Sequence, residues 1–195
     1  MSAPNAYRIR DAGVIDVAGP DRADFLQGQL TQDVRGMSPG EVRPAAGLTP
    51  KGKLTYVARL LALPDRFRLL VPASLRLTVR DHLAKYAAFQ KVAVEDRSAE
   101  FLRVGLYAVL AELPDREGWH RLPVDGEFAG EILAPVADRA EIVRQLEALG
   151  ASPIDAQVAE ALRVEAGRPQ FGRDFDGSNL PDEVGLQPAI STTKG

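Results

Sequence analysis

The chain has 195 residues, of which 45% are apolar and 26% charged, which excludes disordered and fibrous classes and leaves a globular protein able to bury about 70% of its unfolded surface. Its 24 basic and 27 acidic side chains give a formal charge of −3, too little positive field to hold a nucleic acid, so no direct nucleic-acid partner is expected. The absence of cysteine excludes disulfides, thiolate zinc sites and cysteine nucleophiles from this sequence, and no stretch nears the roughly 20 apolar residues that span a bilayer, so a cytoplasmic protein without membrane contact is expected.

Tyr7–Arg10 and Val14–Val17 read as short strands around the turn Asp11-Ala12-Gly13. Asp21 then opens a helix to about Val34, with Ala23, Leu26, Leu30 and Val34 at helical spacing. Gly28 inside that helix suggests close packing of another backbone. Glu41–Leu48, Lys53–Leu63 and Arg66–Val71 read as an antiparallel meander whose first hairpin turns at Thr49-Pro50-Lys51-Gly52. Ser74 caps a helix with Leu75, Val79, Leu83, Tyr86 and Ala87 on one stripe, and Lys91–Asp96 returns as a strand.

The second half repeats this logic. Strands are predicted near Phe101–Leu110, Trp119–Val124 and Glu127–Leu133, followed by a helix with the capping box Asp138/Glu141 that ends at Gly150. A further helix is predicted from Ser152, with Pro153 at its first position, to about Ala166. From Gly167 onward no period persists, and Phe171, Phe175, Leu180, Val184, Leu186 and Ile190 are expected to pin an extended segment to a neighbouring surface. Hairpins without βαβ alternation argue an α+β fold with mainly antiparallel sheet.

Glu165 is the residue most suggestive of chemistry. It continues the apolar spacing of Val158, Ala161 and Leu162, which predicts an inward carboxylate at the negative end of its helix, tolerable only with donors or a cation beside it. Two readings stay open: an ion pair with Arg163, Arg168 or Arg173, or an acceptor pair for a ligand that offers two adjacent N–H groups. Lys51 and Lys53 at the hairpin tip could meet an anion, and Asp174, Asp176, Asp182 and Glu183 could flank a site. His82 and His120 are too isolated for a metal centre, and neither phosphate-loop nor nucleophile-elbow motifs occur. Spacing alone yields no catalytic residue.

Four segments occur in order: Phe25-Leu26-Gln27-Gly28-Gln29-Leu30-Thr31-Gln32-Asp33-Val34, Leu48-Thr49-Pro50-Lys51-Gly52-Lys53, Leu162-Arg163-Val164-Glu165-Ala166-Gly167-Arg168-Pro169 and Leu180-Pro181-Asp182-Glu183-Val184-Gly185-Leu186. Together they resemble the YgfZ-type folate-binding family, related to the glycine-cleavage aminomethyltransferase. The resemblance implies a folate-binding core over 1–195 made of two intertwined antiparallel-sheet and helix halves, with a C-terminal β-barrel-like domain following in complete members. It implies tetrahydrofolate or a derivative as cofactor, with Glu165 holding the pterin and Leu70 and Val71 lining it. The family signature continues from Lys-Gly with a cysteine, one position beyond Lys194-Gly195.

Where the aminomethyltransferases carry a catalytic aspartate, this chain reads Gly52-Lys53-Leu54-Thr55-Tyr56-Val57-Ala58 without an acid. The resemblance therefore implies an accessory factor for assembly or repair of iron–sulfur clusters in client enzymes, including tRNA-modifying ones, with iron–sulfur client or assembly proteins as partners. The alternative is a tetrahydrofolate-dependent aminomethyltransferase or demethylase.

Overall fold

The computed structural model describes residues 5–107, 115–122 and 130–194. In chain order they form β1 (Ala6–Asp11), β2 (Gly13–Ala18), α1 (Arg22–Gln29), β3 (Val42–Leu48), β4 (Leu54–Ala62), β5 (Arg66–Val71), α2 (Arg76–Ala87) and β6 (Ala93–Asp96). There follow β7 (Phe101–Leu106), β8 (His120–Leu122), β9 (Gly130–Pro135), α3 (Arg139–Ala148), β10 (Ser152–Pro153) and α4 (Ala156–Glu165). The parts of the predicted strands at 108–110, 123–124 and 127–129 lie outside the described residues. Two compact units are interleaved along the chain, one from Met1–Ala12 with Ala99–Arg168 and one from Gly13–Ser98 with Pro169–Gly195. The turn at Asp11-Ala12-Gly13 is thus no hairpin: β1 and β2 enter different sheets.

In the unit containing β2, the sheet order is β3-β4-β5-β2-β6, antiparallel throughout. One face carries Ile15, Val17, Leu60, Leu69 and Val71, packed with Phe25 and Leu26 of α1 and Val79, Leu83 and Ala87 of α2. An isolated helix as short as α1 is marginal in water, so this packing, about 1.5–3 kcal/mol for each large apolar side chain, is what holds it. Tyr86, predicted on the inward stripe of α2, is instead exposed. The meander matches its prediction. Gly52 donates to the Thr49 carbonyl at 2.9 Å and closes the hairpin turn. Opposite, a Cβ on Gly47 would stand 2.4 Å from the Tyr56 ring, which reserves that position for glycine.

α1 ends at Gln29, short of the predicted Val34, because the following amides find partners outside the helix ladder. Gln27 Oε1 accepts from Val34 N at 2.7 Å, and Thr31 N turns to the Ala46 carbonyl at 2.9 Å. Gly28 meets no backbone, since an added Cβ there would find nothing within 4 Å. Asp21 sits at the N-cap position but accepts from Lys91 N instead of capping α1.

The other unit has sheet order β10-β1-β7-β9-β8, with only the β10–β1 pair parallel. Tyr7, Leu102, Val104, Leu106, Ile132 and Ala134 form its inner face against Ile142 and Leu146 of α3. The predicted repeat is present locally. Val71-Pro72 and Ala134-Pro135 each leave a strand through an extended proline and a single 3-10 turn before α2 and α3. Because that turn starts the helix, Ser74 and Asp138 make no side-chain cap. Asp138 instead accepts from Trp119 Nε1 at 2.8 Å. Gly150 follows α3 in the left-handed conformation, as predicted.

Ser152 and Pro153 do not open a helix. They pair with Ala6 and Tyr7 as β10, and Asp155 caps α4 by accepting from Gln157 N and Val158 N at 2.9 and 2.8 Å.

Residues 169–194 form a strap on the unit that contains β2. Phe171, Phe175, Val184 and Leu186 pack with Ala46, Leu48, Leu54 and Val57, and Leu54 N donates to the Asn179 carbonyl at 3.0 Å. Four of the six predicted anchors thus act as predicted, whereas Ile190 is not part of this cluster and Leu180 is 42% exposed.

Candidate functional site

The segment Arg163-Val164-Glu165-Ala166-Gly167-Arg168 is a helix end built from backbone. Gly167 adopts φ +61°, its N–H donates to the Val164 carbonyl at 3.0 Å, and Arg168 N donates to the Arg163 carbonyl at 3.1 Å. This paired C-terminal closure requires the left-handed residue that glycine supplies. It stops the helix immediately after Glu165 and leaves the carboxylate in its last turn.

The face that α4 buries is not the predicted one. Ala159 is buried with Leu162 partly buried behind it, in a cluster with Ala6, Tyr107 and Ile154. Val158 (44% exposed), Val164 (60% exposed), Ala161 and Glu165 occupy the opposite, outward arc. Of the predicted stripe, Leu162 turns inward and Val158, Ala161 and Glu165 are exposed. Glu165 therefore pays no burial cost.

The ion pair with Arg163, Arg168 or Arg173, the first of the two open readings, is not formed. Arg163 forks onto Glu160 at 2.7 and 3.0 Å and donates to the Arg168 carbonyl. Glu165 has no hydrogen-bond or ion-pair partner among the described residues. An exposed, unpartnered carboxylate at the unfavourable end of a helix, set in an arc of valine and alanine, can accept two parallel N–H bonds while its neighbours cover an apolar ring.

Leu70 and Val71 lie in the other unit, adjacent on β5 and on opposite faces of its sheet. Val71 is packed in the core against α1 and α2, and Leu70 is likewise buried, opposite Val14. Four of the other candidates make structural contacts, whereas Lys51 and Asp182 are exposed. Lys53 donates to the Ser178 carbonyl at 2.7 Å, tying the hairpin tip to the strap. Asp174, Asp176 and Glu183 accept from Gln170 N, Ser178 N and Leu180 N and so cap turns of the strap. His82 lies between the rings of Tyr56 and Tyr86, and no group of three potential metal ligands occurs among the described residues.

Two buried carboxylates escaped the sequence reading. Asp16 on β2 is gripped by Arg68 and Arg66 of β5, and Glu131 on β9 by Arg103 of β7 and Arg10 of β1. Both are saturated with donors from their own unit. Polar positions inside otherwise apolar alternation are the signal that marks them.

No protein-family model matches the chain. The fold is that of the aminomethyltransferases: a glycine cleavage system aminomethyltransferase T from Bartonella henselae superposes with a TM-score of 0.82 at 22% identity, over 97% of this chain and 59% of that one. By sequence, the tRNA-modifying protein YgfZ of Edwardsiella ictaluri is 30% identical over 96% of this chain and 62% of its own length. An aminomethyltransferase of Chromobacterium violaceum is 29% identical over 92% of this chain and 56% of its own. The chain is thus a homologue of the YgfZ proteins and of the aminomethyltransferases, as its four ordered motifs imply, and spans about three fifths of the length of these relatives.

Proposed function

We infer that the protein is a folate-binding accessory factor that serves assembly or repair of iron–sulfur clusters in client enzymes, tRNA-modifying enzymes among them. The observation that carries the folate part is Glu165: a carboxylate without a partner among the described residues, on an outward apolar arc, inside one of the four segments by which the sequence resembles the folate-binding family. A pterin edge presents adjacent N–H donors to such a carboxylate, and Val158 and Ala161 offer cover for the ring.

The accessory role is favoured over one-carbon transfer by β4 and its lead-in, where Lys53–Ala58 contains no acid. Within that strand Leu54, Tyr56 and Ala58 are buried and Thr55 and Val57 are partly so, and none of them is a carboxylate that could serve as general base for an aminomethyl donor. A tetrahydrofolate-dependent aminomethyltransferase or demethylase is the second reading, supported by the shared fold. Titration with tetrahydrofolate of the wild type and of a Glu165 variant tests the folate site, and a turnover assay separates the two functions.

A further inference from the structure

The segment after α1 and the end of the strap hold each other through a set of polar contacts that the folate reading does not use. Thr31 Oγ1 donates to the Ala189 carbonyl at 2.5 Å and accepts from Ala46 N at 2.9 Å, so one hydroxyl joins strap and sheet. Ser191 N donates to the Thr31 carbonyl at 3.0 Å. Gln32 Nε2 bridges the Pro44 and Pro188 carbonyls at 3.0 and 3.1 Å. Lys194 Nζ donates to the carbonyls of Gln27 and Leu30, at the C-terminal end of α1.

The last contact is chemically pointed. Helix C-termini expose carbonyls without intrahelical partners and carry partial negative charge, and α1 has no basic residue of its own in its last turn. The cation comes from 167 residues away in sequence. Burial pushes the Lys194 ammonium below its ordinary value, as suits a group seated in a pocket of carbonyls and not waving in water.

We propose that Lys194 is a positioning residue, the pin of a latch by which Gln27, Thr31 and Gln32 fix the strap at 187–194 to the end of α1. The ammonium supplies the C-terminal cap that α1 lacks, and the strap gains a fixed path. The polar pattern Gln27-x-x-x-Thr31-Gln32 then serves as a receptor for the strap of the same chain, whether or not folate binds at Glu165.

Amide hydrogen exchange in the full chain, read residue by residue, tests this. Lys194→Met keeps an unbranched side chain one atom shorter and removes its donors. It is expected to speed exchange of the Ser191 amide about tenfold while leaving the Leu60 amide of β4 unchanged. Lys194→Arg, which retains the charge, is expected to stay within about threefold of wild type at Ser191. Unchanged protection of Ser191 in Lys194→Met, equal acceleration at Ser191 and Leu60, or equal loss in Lys194→Arg would each overturn the latch.

Discussion

Asp16 and Arg68 stand directly opposite each other on β2 and β5, and Arg68 bonds both carboxylate oxygens, Nε to Oδ1 at 2.7 Å and Nη2 to Oδ2 at 2.8 Å. Both side chains are buried, so removing Asp16 takes from Arg68 the carboxylate that accepts both of these bonds, while removing Arg68 leaves Asp16 only the longer contact with Arg66. Asp16→Leu is expected to cost about 3–5 kcal/mol in urea unfolding, whereas Asp16→Leu combined with Arg68→Met should lie within about 1–2 kcal/mol of wild type. Additive costs for the two substitutions would show that the pair does not act as a unit.

Gly28 in α1 offers the opposite case. It has no positive φ and an added Cβ would meet nothing within 4 Å. Gly28→Ala should therefore stabilise the protein by about 0.4–1 kcal/mol through the reduced freedom of the unfolded chain. Thermal unfolding that shows a loss would reveal a neighbour at that face.

Stability should fall with acidity in two steps. Burial, and then the Lys85 ammonium, holds His82 below the usual histidine value. The unfolded chain thus takes up this proton more readily, and stability declines as pH drops through about 6.5. Asp96 is also held low: burial opposes this, but the Ser98 hydroxyl and amide and the charges of Arg76 and Arg80 outweigh it. Its contribution is present above about pH 4 and is lost below it. Melting curves of His82→Gln should lack the upper step and keep the lower; an identical slope in wild type and variant between about pH 7 and 5 would contradict the assignment.

Much of the fold is legible in the sequence where local chemistry decides the outcome. Pro50 and Gly52 fix a turn, β-branched and aromatic runs fix β2, β4 and β5, and Gly150 and Gly167 fix helix ends. What the sequence hides is decided by distant partners. Val158, Ala161 and Glu165 do share one side of α4, but periodicity does not say which side packs, and Ala159 with Leu162 takes the inner place. The end of α1 depends on Ala46 and on Gln27, and the role of Lys194 on a helix far away in the chain. The reading of Glu165 changes accordingly. It is not a buried acid in need of a cation, but an acceptor left open.

The accessory reading predicts no one-carbon chemistry. The protein supplied with tetrahydrofolate and an aminomethyl or N-methyl donor should form no methylenetetrahydrofolate above background, because Lys53–Ala58 offers no carboxylate. Robust turnover would favour the transferase, and restoration of turnover by Thr55→Asp or Tyr56→Asp would locate the missing base.

The central claim is most directly tested by calorimetric titration of tetrahydrofolate into the wild type and Glu165→Ala. An open, bidentate carboxylate predicts saturable binding that weakens by about 10- to 100-fold in the variant, with melting temperature unchanged in the absence of ligand. Equal affinity in the two proteins would contradict the assignment of Glu165.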